Sequence, residues 1–211
     1  WFGEMRKKKF FFIVFEGVEG TGKSYQINKL HKNLILNKYD AIKTREPGGC
    51  YTAEKIRNLI FSNNSSHFDK LTDFYLMCAS RNEHIKKFLQ TAKKKKNIVI
   101  CDRFVDSTYA YQVIGNKIDK NLNKLNQDHI LNGLTPNLTI LLRSDFKTVI
   151  ARIKKRKKKN KFNKLKINFY KKAQNAYLSI AKNNKKYYIF DSSKDTTDLE
   201  KKIFNLIIKK L

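Results

Sequence analysis

Acid, proline and long apolar runs are all scarce in this chain of 211 residues. Two prolines and eight glycines exclude collagen-like and low-complexity linker classes. Cys50, Cys78 and Cys101 are odd in number and widely spaced, with no CxxC pair. No disulfide framework is expected, and a reducing, cytoplasmic setting fits. The run Phe10–Phe15 stops at Glu16. It is too short for a bilayer and has no small-residue cleavage site despite the basic Arg6–Lys9, so the chain reads as soluble, unexported and without a membrane partner. His31, His67, His84 and His129 make no metal-ligand spacing and read as surface or packing residues.

What is present is base. Lys and Arg number 46 against 18 Asp and Glu, a formal charge of +28. Such an excess points to a polyanion partner. Yet 38 of those cations are Lys, and Asn and Ile stand at 21 each beside 15 Phe. These residues share A/T-rich codons, so base composition competes with a nucleic-acid surface as the cause, and most lysines read as solvated filler. Where Lys is the default cation, Arg marks places that need a planar fork. The eight are Arg6, Arg45, Arg57, Arg81, Arg103, Arg143, Arg152 and Arg156.

Hydrophobic residues make up 41%, enough for one domain with a sizeable core or a domain plus a small lid. The run Phe10–Phe15 before a Gly-rich turn reads as a strand buried on both faces. Ile27, Leu30, Leu34 and Ile35 recur at helical spacing, predicting a helix over 23–37. A strand at Ala41–Thr44, a helix over 52–62, a long helix from Asp69 to Gln90, and strands at 97–102, 138–142 and 187–190 follow. A final amphipathic helix carries Leu199, Ile203, Leu206 and Ile207, with Thr197 and Glu200 offering a capping box. The alternation predicts an α/β fold, three layers α/β/α around an approximately five-stranded parallel sheet, and the glycine-rich motif at 17–24 would make it a P-loop NTPase. Residues 1–9 read as a basic extension and 10–211 as a single domain. Within it, 152–166 is dense in Lys and Arg with almost nothing apolar, a candidate lid or a solvated helix surface.

Gly17-Val18-Glu19-Gly20-Thr21-Gly22-Lys23-Ser24 matches GxxxxGK(S/T) between a predicted strand and a predicted helix. Glycines let backbone N–H groups curl around phosphate oxygens, and the helix N-terminus adds positive potential. Lys23 would hold the β/γ-phosphates of a nucleoside triphosphate and Ser24 would ligate Mg²⁺. Asp102 ends the strand reading IVIC, where α/β proteins bind ligands, and could hold Mg²⁺ directly or through water. Arg103 beside it could clamp a transferring phosphoryl group.

Several stretches in order resemble the bacterial thymidylate kinases. They are Phe15–Ser24, Thr44-Arg-Glu-Pro-Gly-Gly49, Ala53-Glu-Lys-Ile-Arg57, Ala79-Ser-Arg81, Cys101-Asp-Arg-Phe-Val-Asp-Ser-Thr-Tyr-Ala-Tyr-Gln112 and Asn132–Thr139. The resemblance implies Mg²⁺-dependent transfer of the ATP γ-phosphoryl group to dTMP, giving dTDP for dTTP synthesis, by a cytoplasmic homodimer with no specific nucleic-acid partner. It implies that Arg57 and Arg103 bind the dTMP phosphate, and that Arg81, Thr108 and Gln112 contact thymine. Tyr111 fills the space of a ribose 2′-OH, and Glu46, Pro47 and Ser107 belong to the same acceptor site. Glu19 inside the phosphate loop resembles the subtype in which lid arginines, here Arg152 and Arg156, supply the catalytic cation. Two departures stand out. Met77 replaces the usual Phe that stacks on thymine, which predicts weaker nucleotide binding. In the lid, Asn160-Lys161-Phe162-Asn163 replaces an Asp-Arg-hydrophobic-Glu pattern, and so many like charges would keep it open without ATP. Another pyrimidine nucleotide as acceptor, or a basic P-loop protein that binds nucleic acid, are the competing readings.

Overall fold

The computed structural model describes residues 9–62, 68–155, 166–182, 184–194 and 196–211. The N-terminal extension apart from Lys9, and Arg156 with the lid departure at 160–163, lie outside the described residues.

Strand β1 (Phe11–Glu16) runs into helix α1 (Lys23–Leu36), followed by β2 (Ala41–Arg45) and α2 (Tyr51–Phe61). Helix α3 (Lys70–His84) continues through a π-helical segment, Ile85–Leu89, into α4 (Gln90–Lys94). After β3 (Ile98–Asp102), α5 (Val105–Thr108) passes into a second π-helical segment, Tyr109–Gly115, and then comes α6 (Lys120–Leu131). The chain closes with β4 (Leu138–Arg143), α7 (Phe146–Lys154), α8 (Ile167–Ala181), β5 (Tyr187–Asp191) and α9 (Thr196–Lys210). The five strands are all parallel, in the order β2-β3-β1-β4-β5. Chain order therefore departs in opposite directions on the two sides of β1, and the crevice beyond its carboxyl end is where such sheets bind ligands.

The continuous apolar run in β1 follows from burial on both faces. Ile13 and Phe15 join a core with Leu30 and Leu34 of α1 and Ile203 and Ile207 of α9. Phe12 and Val14 face the other way, against Phe74, Cys78, Leu89 and Phe104. The two-residue period of a strand sends alternate side chains into the two layers. A third cluster, with Val18, Tyr111, Val149 and Tyr177, backs the phosphate loop. Asp69, Asp119 and Asp145 cap α3, α6 and α7 by accepting from Leu71, Leu122 and Thr148 N–H at 2.8 Å each.

The five predicted strands are present. The helix predicted from Asp69 runs four residues further, to Lys94, with Asp69 outside it as the cap. The capping box does not form: α9 already begins at Thr196, so Thr197 is inside it. Glu200 instead accepts from the Tyr25 hydroxyl at 2.6 Å and pairs with Lys29. Helices α5 to α8 carry no predicted counterpart, and α7 takes up residues 152–154 of the basic stretch. Among the described residues no helix is long and apolar enough to cross a membrane.

Phe12 is fully buried and meets Phe104 edge-on, with ring centroids 5.1 Å apart. Phe12→Ala is expected to cost about 3–5 kcal/mol in urea unfolding, whereas Leu36→Ala at an exposed position should stay within about 0.5 kcal/mol.

Candidate active site

The phosphate loop joins β1 to α1, and its shape is imposed by the backbone. Gly17 has φ +135°, and a Cβ there would fall 2.2 Å from the carbonyl oxygen of Leu142, so no side chain fits. The Thr21 hydroxyl donates to the Val18 carbonyl at 2.8 Å. Lys23 Nζ donates to the carbonyls of Gly17 at 2.7 Å and Val18 at 3.0 Å, which folds the ammonium over the loop. Burial, helped by Arg103 and opposed by Asp102 and Glu19, pushes its pKa down to about 8. Helix α1 starts at Gly22 with no side-chain cap among the described residues. Its first N–H groups are thus unsatisfied and aimed at the loop, an anion site by construction.

Beside this loop stands the end of β3. The Ser24 hydroxyl donates to Asp102 Oδ2 at 3.1 Å, while Asp102 Oδ1 is buried with no hydrogen-bond partner among the described residues. Arg103 has φ +73°, a left-handed backbone that costs a non-glycine residue about 1–2 kcal/mol. Its guanidinium is held from three sides, by Glu19 Oε1 at 2.8 Å and by the Ser107 and Tyr177 hydroxyls at 3.1 Å each. Burial works against the Glu19 carboxylate, but Arg103 and Lys23 outweigh it and hold its pKa below the usual range. The Tyr111 hydroxyl donates to the other oxygen of Glu19.

Under Arg103 lies Glu16, fully buried at the end of β1. One carboxyl oxygen accepts from Phe104 N–H at 2.8 Å and Ser107 N–H at 3.3 Å, the other from the Ser107 hydroxyl at 2.7 Å. It fastens the first turn of α5 and hence the strained turn that carries Arg103. Burial, with the neighbouring Asp106 charge adding to it, pushes its pKa up to about 7.

A cleft extends from the loop between β2, α3 and the second π-helical segment. Arg57 donates to the Pro47 carbonyl at 2.6 Å and lies over the Phe61 ring, while Arg45 pairs with Glu54 at 2.8 Å. Arg81 is almost fully buried. Its Nε donates to Glu46 Oε2 at 2.7 Å, and its other nitrogens reach Gln127 Oε1, the Phe104 carbonyl and the Thr108 hydroxyl at 2.9–3.0 Å. Four of the five N–H donors of its guanidinium are so engaged among the described residues, leaving one for a ligand. The Gln112 amide donates to Asp73 Oδ2 at 3.3 Å. Tyr111 and Gln112 are consecutive, both buried and both on the cleft wall, with Met77. Their π-helical backbone is a form often found at functional sites.

The structure brings Glu19, Lys23, Ser24, Glu46, Pro47, Arg57, Met77, Arg81, Asp102, Arg103, Ser107, Thr108, Tyr111 and Gln112 together on this one cleft. Arg152 is not on its lining. It closes α7 and donates to the carbonyls of Gly20 at 3.2 Å and Ser192 at 2.9 Å, bracing the loop from outside. Asp73, Gln127 and Tyr177 carry no motif signal, and Glu16, though inside the Phe15–Ser24 stretch, has no role assigned by the resemblance. Only their polar character inside otherwise apolar surroundings could have marked them.

A phosphate loop after the central strand of a parallel sheet, opening onto a second pocket lined with arginines, defines a nucleoside-monophosphate kinase of P-loop type. The family model for thymidylate kinase matches residues 15–203. A curated thymidylate kinase of Mycoplasmoides gallisepticum is 40% identical over 202 residues, 95% of each chain. One from Aster yellows witches'-broom phytoplasma is 38% identical over 204 residues, 95% of this chain and 96% of the other. The crystal structure of thymidylate kinase from Ehrlichia chaffeensis superposes with a TM-score of 0.75 at 29% identity, covering 95% of this chain and 98% of that one. The chain belongs to the thymidylate kinase family.

The raised Glu16 carboxyl has a measurable consequence. Its group ionises in the ordinary carboxylate range once unfolded but near 7 when folded, so unfolding releases a proton between those values. Glu16→Gln keeps an acceptor for the two amides and cannot ionise. Urea unfolding should therefore show the wild type losing stability relative to Glu16→Gln as pH rises from about 5 to about 8. A pH-independent difference would contradict the raised carboxyl.

Proposed function

We infer that this chain transfers the γ-phosphoryl group of ATP to dTMP, giving ADP and dTDP. The observation that carries the reading is the union, in one cleft, of the phosphate loop with Arg57, Arg81 and Arg103. In the reaction the bond from γ-phosphorus to the bridging oxygen of ADP breaks, and a bond to a dTMP phosphate oxygen forms. That oxygen is already ionised, so no general base is required. The work is positioning and charge stabilisation.

Charge sorting supports these roles. The Arg81 and Arg103 charges are answered by Glu46 and Glu19, and both side chains are locked in place. Lys23 and Arg57 are hydrogen-bonded to carbonyls. Their charge is therefore free to meet phosphate: Lys23 on the donor side, Arg57 on the acceptor side, with Arg103 between them facing the transferred group. Arg81, Thr108 and Gln112 read the base, Tyr111 closes the sugar position, and Glu46 and Ser107 hold the arginines in place. The unpartnered Asp102 Oδ1 beside the Ser24 hydroxyl fits a divalent cation, which binds carboxylate oxygen and retains water. These two residues would hold Mg²⁺, which when bound supplies charge neutralisation for the ATP phosphates. Arg152 steadies the loop through Gly20, and Arg156 belongs to the candidate lid. Exposed Tyr51 and Leu59 on α2, Leu71 and Tyr75 on α3, and Leu125 on α6 support a homodimer formed through these packed helices. Free thiols at all three cysteines accord with a cytoplasmic setting.

ADP release measured with Mg²⁺ and ATP against dTMP, dUMP, UMP, dCMP, AMP and thymidine should show clear preference for dTMP. Turnover of another monophosphate in its place would keep the phosphoryl-transfer assignment and remove the thymine one. Met77→Phe restores a ring to the acceptor wall. It should lower the dTMP KM by about threefold to tenfold, since an aromatic pair adds about 0.5–1.5 kcal/mol beyond its area.

A further inference from the structure

We propose that His84 is a positioning residue for the acceptor: tethered by Thr44, it aims the Glu46 carboxylate that fixes Arg81 in the cleft. The inference rests on the reading of this cleft as the nucleotide acceptor site. Neither His84 nor Thr44 lines the cleft, so both act through other residues.

His84 ends α3, three residues after Arg81 on the same face of the helix, and its side chain is fully buried. Its Nδ1 lies 2.9 Å from Glu46 Oε1, and its Nε2 lies 2.7 Å from the Thr44 hydroxyl at the end of β2. Only one proton arrangement satisfies the neutral ring. Glu46 takes Arg81 Nε on its second oxygen, and although burial opposes ionisation, Arg81 and His84 keep its pKa below the usual range. An ionised carboxylate only accepts, so Nδ1 carries the proton. Nε2 is then the acceptor, and the Thr44 hydroxyl donates to it. A hydroxyl on one strand thereby selects the tautomer of a histidine on a helix, and the histidine selects the plane of a carboxylate in a turn. Without the second donor, the carboxylate would be held at one oxygen only, and Arg81 would lose its fixed orientation.

The surroundings leave this relay no slack. Phe88 stacks on the imidazole with centroids 5.4 Å apart. A Cβ at Gly49, where φ is +91°, would lie 2.4 Å from Thr44 Oγ1 and 2.6 Å from His84 Cδ2. The turn from Glu46 to Gly49 is therefore pressed directly onto the Thr44–His84 pair. That same turn offers the Pro47 carbonyl to Arg57. The base-reading and phosphate-reading arginines are thus referenced to one buried pair that touches neither nucleotide.

The test uses the full chain. Thr44→Val keeps the volume and removes the hydroxyl, His84→Leu removes both ring nitrogens, and His84→Asn restores one N–H toward Glu46. Thr44→Val and His84→Leu should raise the KM for the preferred monophosphate about tenfold, with kcat and the KM for ATP unchanged, and His84→Asn should recover most of the loss. Thermal unfolding run alongside identifies a variant that fails to fold, and Thr44→Val carries the test if His84→Leu does. Nitrogen-15 NMR of histidine-labelled protein, with no nucleotide added, should show neutral His84 protonated at Nδ1 in the wild type and should lose that signature in Thr44→Val. An Nε2–H tautomer in the wild type, or equal rises in both KM values without rescue by His84→Asn, would overturn the proposal. Absence of dTMP turnover by the wild type would instead overturn the functional reading, and the NMR result would still decide the inference.

Discussion

The contact on which the site depends is the buried ion pair between Glu19 and Arg103. Glu19 sits inside the phosphate loop after β1 and Arg103 follows β3, so the pair joins two strand ends that are neighbours in the sheet but 84 residues apart in the chain. Burying two charges is costly, and such a pair is weak evidence for stability. Its value here is geometric. It fixes the distance between the phosphate loop and the arginine-lined part of the cleft. The cost extends to neighbouring groups: Arg103 takes a left-handed backbone, and burial pushes the Glu16 carboxyl beneath it up to about 7 against the hydrogen bonds by which it holds the turn. Strain and desolvation of this kind gather where function requires a fixed arrangement.

The basic composition contributes little to this chemistry. Of 46 cations, the cleft uses Lys23, Arg45, Arg57, Arg81 and Arg103. Four of those five are arginines in a chain where arginine is rare. Planar guanidinium groups can meet a carboxylate on one edge and a ligand on another, which a lysine cannot. Lys23 is the exception, since folding over a loop of carbonyls requires a compact charge on a flexible stem.

The strands and the phosphate loop were legible because their signals are local: apolar runs of strand length, glycines at fixed spacing, and β1 buried on both faces. The wall of the cleft was legible through the family resemblance of its motifs, and Arg57, Arg81, Thr108 and Gln112 do line the same cleft. What was hidden depends on distance in the chain. Glu16 is one letter before the loop and gains meaning only from Phe104 and Ser107, while Gln127 matters only because α6 carries it to Arg81. His84 looked like a packing residue. It is buried as expected, but both its nitrogens are committed to partners about forty residues upstream. Helices α5 to α8 went without a predicted counterpart although α7 buries Val149 and Ile153 on one face, because its last residues fall in the basic stretch read as a lid or a solvated surface. The capping box at Thr197 failed because α9 begins one residue earlier, and Glu200 is left to Tyr25 and Lys29 of α1.

The second π-helical segment has a consequence for how such a site can change. A π-helical turn closes on the fifth residue rather than the fourth, so it stores one more residue than an α-helical path between the same ends. Tyr111 and Gln112, side by side on the cleft wall, both lie within that segment. Loss of a single codon in Tyr109–Gly115 would discharge the extra residue. The wall would then be re-registered against the rest of the cleft while α5 before it and α6 after it kept their packing. The shape of this cleft is therefore exposed to deletion as well as to substitution, and one step in chain length can reach what would otherwise take several changes of side chain.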